Sequence, residues 1–160
     1  MQITLSQKER TLLEDQKSHE QICIEKYTNY ANKATDPQLK EIFNANKQQE
    51  QTHLDSINQL LSGTVPQMNQ QQNQNTAQQN SAQSTPTSNT PTTATDLNDA
   101  DMCSDILMTE KYVSGSYDTA IFECKDTEVR DALNHIQKEE QKHGEAVFKY
   151  MQSKGMYNIK

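Results

Sequence analysis

One pattern of glutamates and histidines occurs twice in this chain, and it restricts the fold more than any other feature. Each copy is a single Glu followed thirty positions later by Glu-x-x-His, and the copies lie ninety positions apart. The residues are Glu20, Glu50 and His53 in the first copy, and Glu110, Glu140 and His143 in the second. Further residues are identical at the same offset, among them Tyr27 and Tyr117. The pattern predicts an internal repeat that supplies four carboxylates and two imidazoles.

These six side chains are the ligand set of a two-metal site in a four-helix bundle. Apolar residues recur at intervals of three and four in both halves of the chain, which indicates helices and no strands. In each of four predicted helices, a Glu of the pattern interrupts an apolar row that should face the core. Capping residues and glycines mark the predicted helix ends: Ser6 with Glu9, Asp36 with Pro37, Gly63, Asp126 and Gly155.

Residues 64–95 are predicted to be a disordered linker, because from position 66 they are almost entirely Gln, Asn, Ser, Thr and Pro. Such a segment has too little apolar surface to offset the entropy lost on ordering. Residues 1–63 and 96–160 then form two helical hairpins, and the predicted fold is an all-α bundle that joins both hairpins in one domain. A coil of about thirty residues spans roughly 30 Å, which is enough to cross the bundle.

The spacing of the pattern places its residues at one level of this bundle. Glu20 and Glu50 each lie fifteen positions from residue 35, where the first hairpin turns, and Glu110 and Glu140 lie fifteen positions from residue 125. At about 1.5 Å per residue, all four carboxylates should lie roughly 22 Å from their turns. Two hairpins packed about a pseudo-two-fold axis would therefore bring the six side chains together.

Four ionised carboxylates inside a bundle need compensation. Two divalent cations balance them, and a mixed carboxylate and imidazole set suits a di-iron or di-manganese centre. Two other interpretations stay open: charges on solvated helix faces, or a bundle without metal in which Glu and His pair with each other. Tyr27 and Tyr117, two turns after their Glu, are either core aromatics or hydrogen-bond donors to metal ligands.

Composition excludes several kinds of partner. A net charge of −7 with no basic stripe argues against nucleic acid. No apolar run is long enough for a bilayer, and the start lacks a secretion signal, so we expect synthesis in the cytosol and no membrane contact. Cys23, Cys103 and Cys124 form no C-x-x-C pair. They are interpreted as reduced core thiols, with cross-linking after assembly as the alternative.

The two halves of the pattern resemble the ferritin-like superfamily, including rubrerythrin and bacterioferritin. The resemblance implies a ferritin-like bundle in which the six residues are di-iron ligands, with Glu50 and Glu140 bridging the two metals. The first Glu of each half lies closer to its Glu-x-x-His than is usual in that superfamily, which requires a tighter hairpin. An oxidoreductase of peroxidase, catalase or ferroxidase type is one function that this resemblance implies, although no catalytic residue follows from the sequence.

The second half also resembles the spore coat F family of endospore-forming bacteria. The residues that carry this resemblance are the runs Thr109 to Tyr112, Ile121 to Cys124 and Leu133 to Ile136, together with Tyr117 and the ending from Met151 to Tyr157. It implies a structural component of the spore coat that associates with itself and with other spore coat proteins, and whose coat role needs no intact metal set. We therefore expect a coat component first and an oxidoreductase second.

Overall fold

The chain folds into four long helices that pair as two hairpins. The computed structural model describes residues 2–67 and 97–159. The helices are α1 (Gln7–Lys33), α2 (Pro37–Leu61), α3 (Asp99–Glu123) and α4 (Thr127–Ser153). The prediction of an all-α bundle built from two helical hairpins is confirmed. All but the first four residues of the predicted linker lie outside the described ranges, and the proposed boundaries of the hairpins stay a prediction.

Local sequence accounts for most of the helix ends. Ser6 and Glu9 form the predicted capping box of α1, and the Asp36 carboxylate accepts a hydrogen bond from the backbone N–H of Gln38 at the start of α2. Gly63 and Gly155 follow α2 and α4 with φ of 87° and 70°, a region that favours glycine. Asp126 is the N-cap residue of α4, but its side chain makes no capping hydrogen bond within the part of the chain that the structure describes.

Each hairpin also caps the turn of the other. Glu9 at the start of α1 accepts a hydrogen bond from the backbone N–H of Lys125, in the turn between α3 and α4. Asp99 at the start of α3 accepts hydrogen bonds from the backbone N–H groups of Thr35 and Asp36, in the turn between α1 and α2. Glu9 and Asp99 lie ninety positions apart, like the two copies of the Glu and His pattern. These carboxylates fix the level at which the two hairpins meet.

The bundle interior holds two apolar clusters, one on each side of a polar layer. The first includes Leu13, Leu60 and Leu133, and the second includes Phe43 and Ile106. All the residues predicted to line the four core-facing rows are buried. The three cysteines are buried free thiols, which agrees with their interpretation as core residues. No helix among the described residues is long and apolar enough to cross a membrane.

Candidate metal centre

The polar layer between the two apolar clusters contains all six residues of the repeated pattern. Each helix contributes one Glu, and α2 and α4 each add the His of Glu-x-x-His one turn later. The side chains are almost entirely withdrawn from solvent, and their residues have relative exposures of 0% for Glu20, Glu50 and Glu140, 3% for Glu110 and His143, and 4% for His53. The structure thus brings the six residues together at one level of the bundle, and their role as metal ligands stays a prediction.

The six side chains divide into two overlapping groups whose possible ligand atoms lie within 4.8 Å of one another. The Glu20–His53 group consists of Glu20, Glu50, His53 and Glu140, and the Glu110–His143 group consists of Glu50, Glu110, Glu140 and His143. Glu50 and Glu140 belong to both groups. They are the two residues that the ferritin-like resemblance gives as bridging ligands.

Each histidine approaches a shared glutamate of the other hairpin. His53 Nδ1 lies 3.0 Å from Glu140 Oε1, and His143 Nδ1 lies 3.2 Å from Glu50 Oε1. The two imidazole rings stack with centroids 5.5 Å apart. These contacts cross between hairpins, so the layer forms only when both hairpins are in place.

Tyr27 and Tyr117, both fully buried, donate hydrogen bonds across the bundle. Tyr27 Oη donates to Glu110 Oε1, and Tyr117 Oη donates to Glu20 Oε1. Both tyrosines thus contact the glutamates that belong to one group only. In this geometry each phenol is at once a core aromatic and a donor to a candidate ligand, so the two interpretations drawn from the sequence do not exclude each other.

Asn46 makes the two halves of the layer different, and it lies outside the repeated pattern of glutamates and histidines. Its Nδ2 donates a hydrogen bond of 3.1 Å to Tyr27 Oη. The position ninety residues later is Ile136, a buried member of the apolar cluster that contains Tyr117. One signal of a role for Asn46 was present in the sequence, namely that it is a polar residue on the mainly apolar row of α2. Its partner was not predictable, because Tyr27 lies on another helix.

Burial and the contacts within the layer shift the pKa values of its six ionisable groups in different directions. Burial raises the pKa of the Glu20 and Glu110 carboxyl groups well above the usual range. Burial also acts to raise the pKa of Glu50 and Glu140, but hydrogen bonds with the two histidines lower it more. Burial acts to lower the pKa of both imidazoles, and the carboxylates raise it more.

In the layer without metal, the directions of these pKa shifts favour protons on Glu20, Glu110 and the two histidines, and charge on Glu50 and Glu140. A metal must displace these protons in order to bind, since the ligands act in their deprotonated forms.

The unpartnered atoms of the layer fit a pair of divalent metals. One oxygen of each glutamate, Oε2, is buried without a hydrogen-bond partner among the described residues, and so is His143 Nε2. An unsatisfied buried polar atom costs about 1–3 kcal/mol, so five in one layer call for a further partner. Carboxylate oxygens and imidazole nitrogens suit iron or manganese. The residues present therefore fit the metals that the sequence predicts.

Two cavities border one half of the layer. A cavity of about 500 Å³ lies between α3 and α4 and is bordered by Glu110 and Glu140. A second, of about 580 Å³, lies between α2 and α4 and is bordered by Asn46 and His143. Neither cavity borders Glu20 or His53. The Glu110–His143 group is thus the half that lies closer to open space.

Comparison with known families gives one match, which covers α3 and α4. Residues 98–160 match the family described as the Coat F domain. The match indicates a protein of the spore coat, as the resemblance of the second half predicted. Neither the curated proteins nor the solved structures gave a match to this chain. The ferritin-like resemblance and the internal repeat stay predictions.

Proposed function

We propose that this protein is a structural component of the spore coat whose four-helix bundle holds a carboxylate-bridged pair of metal ions. The Coat F domain match over residues 98–160 supports the coat role. The metal part rests on one observation, the buried layer in which six ligand-type side chains form two overlapping groups. Iron or manganese is the metal that this donor set favours.

In this proposal, Glu20 and His53 would hold one ion and Glu110 and His143 would hold the other. Glu50 and Glu140 belong to both groups and would be ligands common to the two ions. Four carboxylates and two neutral imidazoles balance two divalent cations. The metals supply positive charge that satisfies the buried oxygens. In a coat protein with few apolar residues, they act as a cross-link between the hairpins.

Exposed apolar side chains support association with further coat proteins or with a second copy of the chain. Ile22, Met108 and Tyr112 are 51%, 68% and 67% exposed, and they border one cavity between α1 and α3. Apolar side chains that lie next to each other at a surface are typical of interaction sites.

Metal content is the first test of the dimetal proposal. Full-length protein refolded with Fe(II) or Mn(II) should contain about two metal ions per chain by elemental analysis. The double variant Glu50→Gln, Glu140→Gln should lose both, because it alters the two ligands that the groups share. The matched control Glu41→Gln, Glu128→Gln changes exposed glutamates of the same two helices and should keep the metals. The dimetal site would be refuted if the wild-type protein took up no metal, or if the control variant lost as much metal as the double variant.

The coat role has a separate test. A fluorescent fusion of the full chain, produced during sporulation in an endospore-forming host, should form a ring at the spore coat. The fusion of the Glu50→Gln, Glu140→Gln variant should form the same ring if coat assembly needs no metal. Diffuse fluorescence of the wild-type fusion would contradict a coat role, whatever its metal content.

A di-iron or di-manganese oxidoreductase is the second candidate, and the cavity beside Glu110 and Glu140 favours it. Iron or manganese bound in the layer would supply redox chemistry. The protein's own contribution would be to keep bulk water out and to place the Tyr27 and Tyr117 hydroxyls on the glutamates. Peroxide consumption by metal-loaded protein, lost in the double variant, would support this function.

A further inference from the structure

The cavity between α3 and α4, which we name the α3–α4 groove, leads from the surface to the polar layer. Glu110 and Glu140 border its inner end, and Lys111 and Glu145 are also among its lining residues. Phe148 of α4 and Tyr157 of the C-terminal segment form one wall, with their rings edge to face at 5.0 Å. Its volume of about 500 Å³ lies within the range of small-molecule sites.

A glycine keeps the inner end of the groove open. A Cβ atom at Gly144 would lie 3.9 Å from the Cβ of Glu110 and 3.9 Å from Cδ2 of Leu107. These are ordinary contact distances, so a larger side chain at this position would extend into the groove. Gly144 directly follows His143 in α4, and the open space is therefore next to the Glu110–His143 group.

The first hairpin has bulkier residues at the positions that correspond to the two smallest lining residues. Ninety positions before Gly144 is Leu54, and ninety positions before Ser114 is Ile24. Leu54 and Ile24 are both half-buried. The polar residue Asn58 replaces Phe148. The first hairpin thus has larger side chains beside its half of the layer and lacks an apolar wall of the groove.

We propose that the α3–α4 groove is a binding site for a small donor ligand, which reaches the metal held by Glu110 and His143 and does not reach the metal held by Glu20 and His53. The proposal rests on the dimetal centre proposed above. The ligand class is a molecule of a few atoms with one nitrogen or oxygen donor, since such a molecule fits beside Gly144 and can coordinate a metal. The two metals then differ in how fast they exchange with the solution, because one is accessible through the groove and the other is not.

The test uses full-length protein loaded with Co(II), whose visible absorption reports its ligands. Azide is the probe of ligand entry, and the rate of cobalt removal by EDTA is the probe of exchange. Gly144→Leu and Ser114→Ile each introduce the residue of the first hairpin and should block the groove. Gly115→Leu is the control, because a Cβ at this exposed position of α3 meets no atom within 4 Å. Two separate blocking variants protect the test against one that fails to fold.

In wild-type protein and Gly115→Leu, azide should change the cobalt spectrum, and EDTA should remove one cobalt quickly and one slowly. In Gly144→Leu or Ser114→Ile with unchanged cobalt content, azide affinity should fall at least tenfold and both ions should leave slowly. Unchanged azide affinity and two-phase release in those variants would overturn the groove proposal alone. Wild-type protein that takes up no cobalt would overturn the dimetal centre, and the groove proposal with it.

Discussion

At the scale of single residues, two fully buried tyrosines each donate a hydrogen bond to one oxygen of a non-shared glutamate. Tyr27 donates to Glu110, and Tyr117 donates to Glu20. These carboxyl groups are the two whose pKa burial raises most clearly. Each of these hydrogen bonds also joins one hairpin to the other. Each tyrosine hydroxyl therefore contributes both to the polar layer and to the pairing of the hairpins.

Removing either hydroxyl should weaken the fold. Tyr27→Phe or Tyr117→Phe leaves one further carboxyl oxygen buried without a partner, and we expect each to lower the free energy of unfolding by about 1–3 kcal/mol. Urea unfolding of metal-free protein, followed by circular dichroism, measures the effect. Tyr112→Phe is the control, since Tyr112 is 67% exposed, and it should change stability by less than about 0.5 kcal/mol. Equal effects at the three positions would show that the buried hydroxyls donate no such hydrogen bond.

At the scale of elements, the ends of the helices differ in how far sequence predicts them. The capping box of Ser6 and Glu9 was predictable from the sequence, because both partners lie within one turn. The start of α3 was not predictable, since several possible capping residues lie close together before it. In the structure, Asn98 and Asp101 form the capping box. Local sequence contains the partners in the first case and leaves several choices in the second.

The contacts between hairpins were beyond the reach of sequence. Glu9 and Asp99 look like ordinary acidic residues in the first turn of a helix. Their partners in the turn of the other hairpin, however, lie 116 positions away for Glu9, and 64 and 63 positions away for Asp99. The repeated offset predicted that the six candidate ligands share one level, because that level is set by helix length, and they are buried together. It did not reveal Asn46 or the α3–α4 groove, which depend on differences between the two halves.

The cap that Asp99 provides for the other hairpin should depend on pH. Burial acts to raise the pKa of Asp99, but hydrogen bonds from Thr35 and Asp36 lower it more, and the folded pKa lies below the ordinary value. The stabilisation is therefore fully present above the unfolded pKa of about 3.9 and is lost as pH falls through the folded value. Asp99→Asn removes the charge and should make stability less dependent on pH in this range.

Urea unfolding at neutral pH and near pH 3 checks this prediction. Asp99→Asn should be less stable than wild type by about 1 kcal/mol at neutral pH, and the difference should shrink at the lower pH. Asp118→Asn, on an exposed position of α3, is the control and should match wild type at neutral pH. A difference that stays constant between the two pH values would mean that the Asp99 charge does not stabilise the turn.

At the scale of the whole molecule, the polar layer divides a small core into two apolar clusters. The pKa shifts within the layer favour protons that offset part of its negative charge, so we expect the bundle to fold before any metal binds. A metal that binds only the folded chain then adds stability by mass action. This separates a structural role, which needs the bundle, from the chemistry of the centre, which needs the metals.

The melting temperature should therefore rise when metal is added, and this rise should require Glu50 and Glu140. At a free Mn(II) concentration of about one hundred times the dissociation constant, each bound ion adds about 2.7 kcal/mol. For a chain of this size, the contribution of each ion corresponds to roughly 5–10 °C in Tm. The Glu50→Gln, Glu140→Gln variant should fold but show no rise, whereas Glu41→Gln, Glu128→Gln should rise as wild type does. A rise of equal size in both double variants would place the bound manganese outside the layer, because only the first variant alters ligands common to both groups.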